Sequence, residues 1–258
     1  MPTKLDDSLS KIPLVTTIFW IEKICATTLG ETAGDLLSMT MKIGYGVSSA
    51  ILIGIFLITV VSQLAASRYR PALYWSVILS TSTAGTTMSD YMDRTLGLGY
   101  AQGSALLIAI LLGIFAFWRA SGHSLSVDDI RTRRVEALYW TAILFSNTLG
   151  TALGDYLADD SGLGFAGGAL LIASVLGVVM VATYFTSISR VLLFWIAFVL
   201  TRPFGATMGD VLTKGSERGG LGFGTIGSSV VLASVLIALV SFEIVTRRRS
   251  SNRPLARP

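Results

Sequence analysis

Long apolar stretches alternate along the chain with short polar or glycine-rich breaks. A helix needs about 20 apolar residues to cross a hydrocarbon core. Eight stretches meet that requirement: Leu14 to Leu37, Val47 to Ala66, Ala72 to Met92, Ala101 to Trp118, Val135 to Leu157, Phe165 to Phe185, Val191 to Leu212 and Thr225 to Val245. Glu22, Lys23, Glu31 and Asp35 interrupt the first, which is accepted because the repeat below requires it. The pattern predicts an all-α integral membrane protein with eight transmembrane helices. No compact basic-then-apolar entry marks a cleavable signal peptide ahead of the first helix.

An internal repeat fixes the organisation. Trp20, Trp75, Trp140 and Trp195 each stand 15 residues before an aspartate (Asp35, Asp90, Asp155, Asp210) and 10 before a glycine (Gly30, Gly85, Gly150, Gly205). The cores read TTLGETAGDLL, STAGTTMSDYM, NTLGTALGDYL and RPFGATMGDVL, and each leads through a glycine-rich turn into a second helix. The unit is a two-helix hairpin. Because each unit crosses twice, the four tandem copies are expected to be parallel rather than inverted. The chain divides into a cytoplasmic N-terminal segment (1–11), repeat 1 (12–66), repeat 2 (67–118), a cytoplasmic linker (119–134), repeat 3 (135–187), repeat 4 (188–245) and a basic cytoplasmic tail (246–258). The aspartates share one depth near the outer helix ends, and the tryptophans are expected in an aromatic belt at the cytoplasmic interface.

Four tandem two-helix units, each with a tryptophan in its first helix, resemble a bacterial membrane-protein family described only as a repeat of unknown function and labelled uncharacterised membrane-anchored protein. The resemblance covers roughly Ile12 to Phe242 and is carried by Trp20, Trp75, Trp140 and Trp195. It implies a bacterial integral membrane protein with eight helices, and it implies no activity, so no functional residue is carried over from it.

Composition sharpens the class. The chain has 258 residues, 52% hydrophobic and 14% charged, against about 25% charged in a soluble domain. One Cys and one His exclude a disulfide framework and the usual zinc or copper sites. One side of the spans holds 14 basic residues (Lys4, Lys11, Arg68, Arg70, Arg119, Arg131, Arg133, Arg134, Arg190, Arg247, Arg248, Arg249, Arg253, Arg257) and the other holds four (Lys42, Arg94, Lys214, Arg218). Both termini are therefore expected in the cytoplasm, and the location expected is the bacterial inner membrane. The same asymmetry accounts for the net charge of +4 as topology and contact with the lipid bilayer, with no nucleic acid as partner. Cys25 and the scattered methionines read as packing, and His123 as a solvated loop residue. No Walker loop, nucleophile elbow or HExxH motif is present, so no enzyme and no cofactor are expected. The sequence assigns no oligomeric state.

Two stripes run along each odd helix. In one, Gly30, Gly85, Gly150 and Gly205 are each followed four residues later by Gly34, Ser89, Gly154 or Gly209, a small-xxx-small face for close helix packing. In the other, steps of four back from the aspartates give polar columns: Asp35, Glu31, Thr27; Asp90, Thr86, Ser82; Asp155, Thr151, Asn147; Asp210, Ala206, Arg202. The aspartates could reach the headgroups, serve as structural links, or form a ring with Glu31 that lines an outward-facing cavity. Headgroup contact is disfavoured because negative charge at a helix C-terminus opposes the dipole. An oxygen-only ring suits a hard cation of unassigned identity, and crowded carboxylates titrate as a coupled group, which proton-linked transport requires. Glu31 and Arg202 are unique to their copies and meet if the first and last units close the bundle. Pro203 should loosen the seventh helix near Val199. The reading reached is a polytopic inner-membrane transporter or channel-like protein for a small cation or proton. The ion-binding candidates are Asp35, Asp90, Asp155, Asp210, Glu31, Asn147, Thr86, Thr151 and Arg202. The alternative is a membrane scaffold or partner subunit in which the carboxylates are structural.

Overall fold

The structure is a computed structural model that describes residues 11–251. Most of the N-terminal segment and the end of the basic tail, including Lys4, Arg253 and Arg257 of the charge count, lie outside the described residues. The described residues form eight α-helices and no strand: α1 (Thr17–Asp35), α2 (Tyr45–Ala65), α3 (Pro71–Asp90), α4 (Tyr100–Ala120), α5 (Arg133–Asp155), α6 (Gly164–Phe185), α7 (Arg190–Thr213) and α8 (Gly224–Ser251). Local chemistry sets several starts. The Thr16 and Thr132 hydroxyls accept from the backbone N–H groups of Phe19 and Val135 at the heads of α1 and α5, and Pro71 opens α3, where its missing N–H costs nothing. Gly44 and Gly99 enter α2 and α4 with φ of +83° and +74°, a conformation that disfavours any side chain. Pro203 is carried inside α7, which runs unbroken, so the expected loosening does not interrupt the helix.

Four helices form an inner ring: α1 packs on α3, α3 on α5, α5 on α7, and α7 back on α1. The other four lie outside it, α2 on α3, α4 on α5, α6 on α7 and α8 on α1. This corrects one expectation. The two helices of a repeat do not pack as a hairpin. Each second helix docks mainly on the first helix of the next repeat, with α8 closing the circle on α1 while keeping a smaller contact with α7. The inner helices present their small residues to each other, which leaves each outer helix to settle against the neighbouring unit.

The ring is parallel and in step, and the two stripes read from sequence turn out to be the two halves of one contact. Gly30 faces Ser82, Gly85 faces Asn147, Gly150 faces Arg202, and Gly205 faces Thr27. One turn on, Gly34 faces Thr86, Gly154 faces Ala206, and Gly209 faces Glu31. Each glycine thus receives a member of the next repeat's polar column, and the fourth repeat receives the first. The fit is tight: a Cβ at Gly85 would lie 2.9 Å from the backbone carbon of Asn147 and the backbone nitrogen of Thr148.

The tryptophans follow the same cycle. Phe19 meets Trp75, Tyr74 meets Trp140, Tyr139 meets Trp195, and Phe194 meets Trp20, with ring centroids 5.7, 5.4, 6.0 and 5.8 Å apart. Trp75, Trp140 and Trp195 are buried, so they join repeats by aromatic packing rather than forming the lipid-facing belt expected of them. The linker also packs inward. Trp195 Nε1 donates to the Leu125 carbonyl at 2.9 Å, Ile130 is buried, and His123 is half-buried rather than fully solvated.

Polar side chains are buried along the inner ring beside an aromatic and aliphatic cluster, and the outer surface is largely apolar, unlike that of a soluble domain. Thr27, Thr86, Asn147, Thr151 and Arg202 are fully buried, whereas Ile58, Leu170 and Phe185 on the outer helices are 70%, 70% and 82% exposed. Among the described residues α2, α4, α6, α7 and α8 are long and apolar enough to cross a membrane. The remaining three, α1, α3 and α5, are inner helices carrying the fullest polar columns.

Candidate functional site

The polar columns converge on the axis of the inner ring. Side chains twelve, eight and four residues before the aspartates, and the aspartates themselves, form successive layers, because steps of four stay on one helix face. Arg202 from α7 lies at the centre, fully buried. Its Nη2 donates to Glu31 Oε2 at 2.9 Å and to the hydroxyls of Thr86 and Thr151 at 2.6 Å each. Both threonine hydroxyls also lie 3.3 Å from Glu31 Oε2. One knot therefore joins all four inner helices. Arg202 starts a turn below Glu31, Thr86 and Thr151, and its long side chain rises into the space left where the fourth copy has Ala206.

Glu31 and Arg202, the two departures from the repeat, thus meet as their uniqueness suggested. Asn147 does not join the carboxylates. Its amide Nδ2 donates to Thr81 Oγ1 at 2.9 Å and ties α5 to α3.

The four aspartates lie one layer above, each 3% exposed or less, so none extends into headgroups. They form two bridged pairs rather than an open ring. Lys214 Nζ lies 3.0 Å from Asp35 Oδ2 and 3.2 Å from Asp210 Oδ1, joining α1 to α7. Arg94 lies 3.0 Å from Asp90 Oδ1 through Nε and 3.1 Å from Asp155 Oδ2 through Nη2, joining α3 to α5. Burial disfavours the Lys214 ammonium, but Asp210 and Asp35 outweigh it and hold this side chain, just past the end of α7, protonated well above the usual lysine range.

Arg94 and Lys214 were counted from sequence only as outer-side charges. The signal that could have found them is the same step of four taken forward: position plus four from each aspartate is Met39, Arg94, Asp159 and Lys214. Alternate copies supply a cation, and each serves its own aspartate and that of an adjacent repeat. Asp35, Asp90 and Asp155 also stand immediately before π-helical turns at Leu36–Thr40, Tyr91–Thr95 and Tyr156–Asp160. Such wide turns are rare and often mark functional sites.

Ligand oxygens of Glu31, Asp35 and Asp210 all lie within 4.8 Å of one another, a spacing that could hold a cation. Two open depressions of about 480 and 290 Å³ lie elsewhere, the first beside Thr213 and Thr225, the second between Leu170 and Phe204, and none of the five carboxylates lines either.

A family model described as Repeat of Unknown Function (DUF347) matches the chain four times, over residues 18–69, 73–124, 138–189 and 193–249. No curated protein and no solved structure matches it.

Proposed function

The chain belongs to the Repeat of Unknown Function (DUF347) family, and from that premise we propose that it is a polytopic transporter or channel-like protein for a small hard cation. In this reading all eight helices span the bacterial inner membrane with both termini cytoplasmic, and α1, α3 and α5 cross shielded by their neighbours. The observation that carries it is the convergence of Glu31, Asp35 and Asp210, whose oxygens lie within 4.8 Å of one another, with the Lys214 ammonium bridging the two aspartates. Lysine is a compact point charge on a flexible stem. It serves as a tethered occupant that an entering cation displaces toward the outer side. Arg94 plays the equivalent part between Asp90 and Asp155. Below them the Glu31–Arg202 knot is the barrier between the outer site and the rest of the axis. A proton is the natural coupling ion, since interacting carboxylates titrate together.

The test is cation-dependent flux and its pH response in proteoliposomes for Asp35→Asn, Asp90→Asn, Asp155→Asn and Asp210→Asn, with folded yield measured alongside. Asn keeps shape and hydrogen bonding while abolishing titration. The reading expects loss of flux with folding retained. Four well-folded variants that behave like wild type would remove its support.

A second reading is favoured by the completeness of the pairing: Glu31 and all four aspartates face a basic side chain. Under it the protein is a membrane scaffold or partner subunit and the ion pairs fix the order of the ring. Lys214→Met separates the two. A tethered occupant leaves a folded protein with altered cation affinity, whereas a structural bridge leaves a less stable one with no change in flux.

A further inference from the structure

A second charged feature lies deeper on the axis. Lys23, Ile78, Ile143 and Phe198 occupy equivalent positions twelve residues before the aspartates, and all four are fully buried. Three copies are apolar. The first carries the Lys23 amine, whose Nζ lies 4.1 Å from the centroid of the Phe198 ring and has no hydrogen-bond partner among the described residues.

The layer above leaves further valences open. Arg202 commits Nη2 to Glu31, Thr86 and Thr151, while its Nε and Nη1 have no partner among the described residues, and neither do Ser82 Oγ and Asn147 Oδ1. Lys23 and Arg202 are close enough to repel each other. Glu31 neutralises Arg202. Among the described residues no carboxylate pairs with Lys23: the adjacent Glu22 lies on another face of α1, near Glu243 and Arg247. A buried charge without a counter-charge is strongly unfavourable.

We propose that a small inorganic anion of halide size is held on the axis between Lys23 and Arg202. The donors are Lys23 Nζ, Arg202 Nε and Nη1, and Ser82 Oγ; Asn147 Oδ1 is the lone acceptor, so the set favours an anion over water or a cation. Ile78, Ile143 and Phe198, in the layer of Lys23, bound the site on the tryptophan side, and the close glycine packing of the ring favours a small ion. The anion neutralises Lys23 and completes an axis whose charge alternates in sign from the aspartates inward.

The test uses the full chain purified in detergent, with thermal unfolding followed in chloride, bromide and gluconate at equal ionic strength. Saturating chloride or bromide is expected to raise the midpoint by about 5 °C over gluconate. Lys23→Met is expected to fold, since it replaces an unpaired charge with an apolar chain of similar length, and to lose the halide dependence. Asp35→Asn is expected to keep it. Equal midpoints in halide and gluconate for wild type, or an undiminished halide effect in Lys23→Met, would overturn the proposal. Anomalous scattering from bromide-soaked wild-type crystals needs no variant: a peak within hydrogen-bond reach of Lys23 Nζ supports the site, and its absence from well-diffracting crystals counts against it. Cation flux plays no part in these measurements, so their failure is distinct from failure of the proposed function.

Discussion

The inner and outer rings contain the same number of helices and obey opposite rules. Along α1, α3, α5 and α7 the contacts are made by glycines, hydroxyls and paired charges toward one end and by aromatic pairs toward the other, and both sets recur in a closed cycle. Along α2, α4, α6 and α8 one apolar face, with Phe56, Leu107, Ile172 and Leu236, packs on the inner ring, and a second, with Ile58, Leu112, Leu170 and Ile237, is exposed on the outside. In an aqueous protein that second face would be misplaced. In lipid, where apolar side chains gain little from leaving the solvent, close packing and internal hydrogen bonds hold helices together. The comparison teaches that a strong apolar signal marks all four outer helices and, of the inner four, only α7. The inner helix α7 alone combines both characters: its first half is apolar, and its polar column is reduced to Arg202 and Asp210.

The contrast can be broken most severely at the glycines. Gly85→Leu drives a side chain into the α5 backbone and should abolish recovery of folded protein, while Gly113→Leu on α4, where a Cβ meets nothing within 4 Å, should give normal yield by size exclusion in detergent. Next is the central knot. Arg202→Met leaves Glu31 buried without its partner and should cost about 3–5 kcal/mol in reversible unfolding, and adding Glu31→Gln should recover much of that loss. An apolar pair on a single outer helix comes third. Leu107 is 1% exposed and Leu112 is 62% exposed. Leu107→Ala should destabilise by about 2–5 kcal/mol through the cavity it leaves, and Leu112→Ala should change little. The smallest effect is expected for Gly113→Ala, within about 1 kcal/mol of wild type in the same assay.

Much of the architecture was legible because the repeat is strict. The Trp-to-Asp spacing located four equivalent helices, the glycine and polar stripes identified the faces that meet, and the uniqueness of Glu31 and Arg202 predicted their encounter. The docking of each second helix on the next unit was not legible, since a short glycine-rich turn between two apolar helices is equally compatible with a closed hairpin. Arg94 and Lys214 were present in the pattern at position plus four but read as outer-side charges, because solvated and bridging side chains have the same sequence. Lys23 was not legible as an axial residue: adjacent to Glu22, with which it cannot share a helix face, it only interrupts the first apolar stretch, and its burial follows only from the ring.

What the sequence by itself determined is the set of helices, their fourfold equivalence and the residues each presents on one face, because these depend on periodicities of a single helix. Tertiary structure alone decided which copies share a cation, that the tryptophans join neighbouring repeats, and that the outer helices dock one unit along. Those are relations between separate helices. They are set by ring closure, which brings Gly205 to Thr27 and Gly209 to Glu31, and no local pattern specifies how a chain of four equal units meets its own beginning.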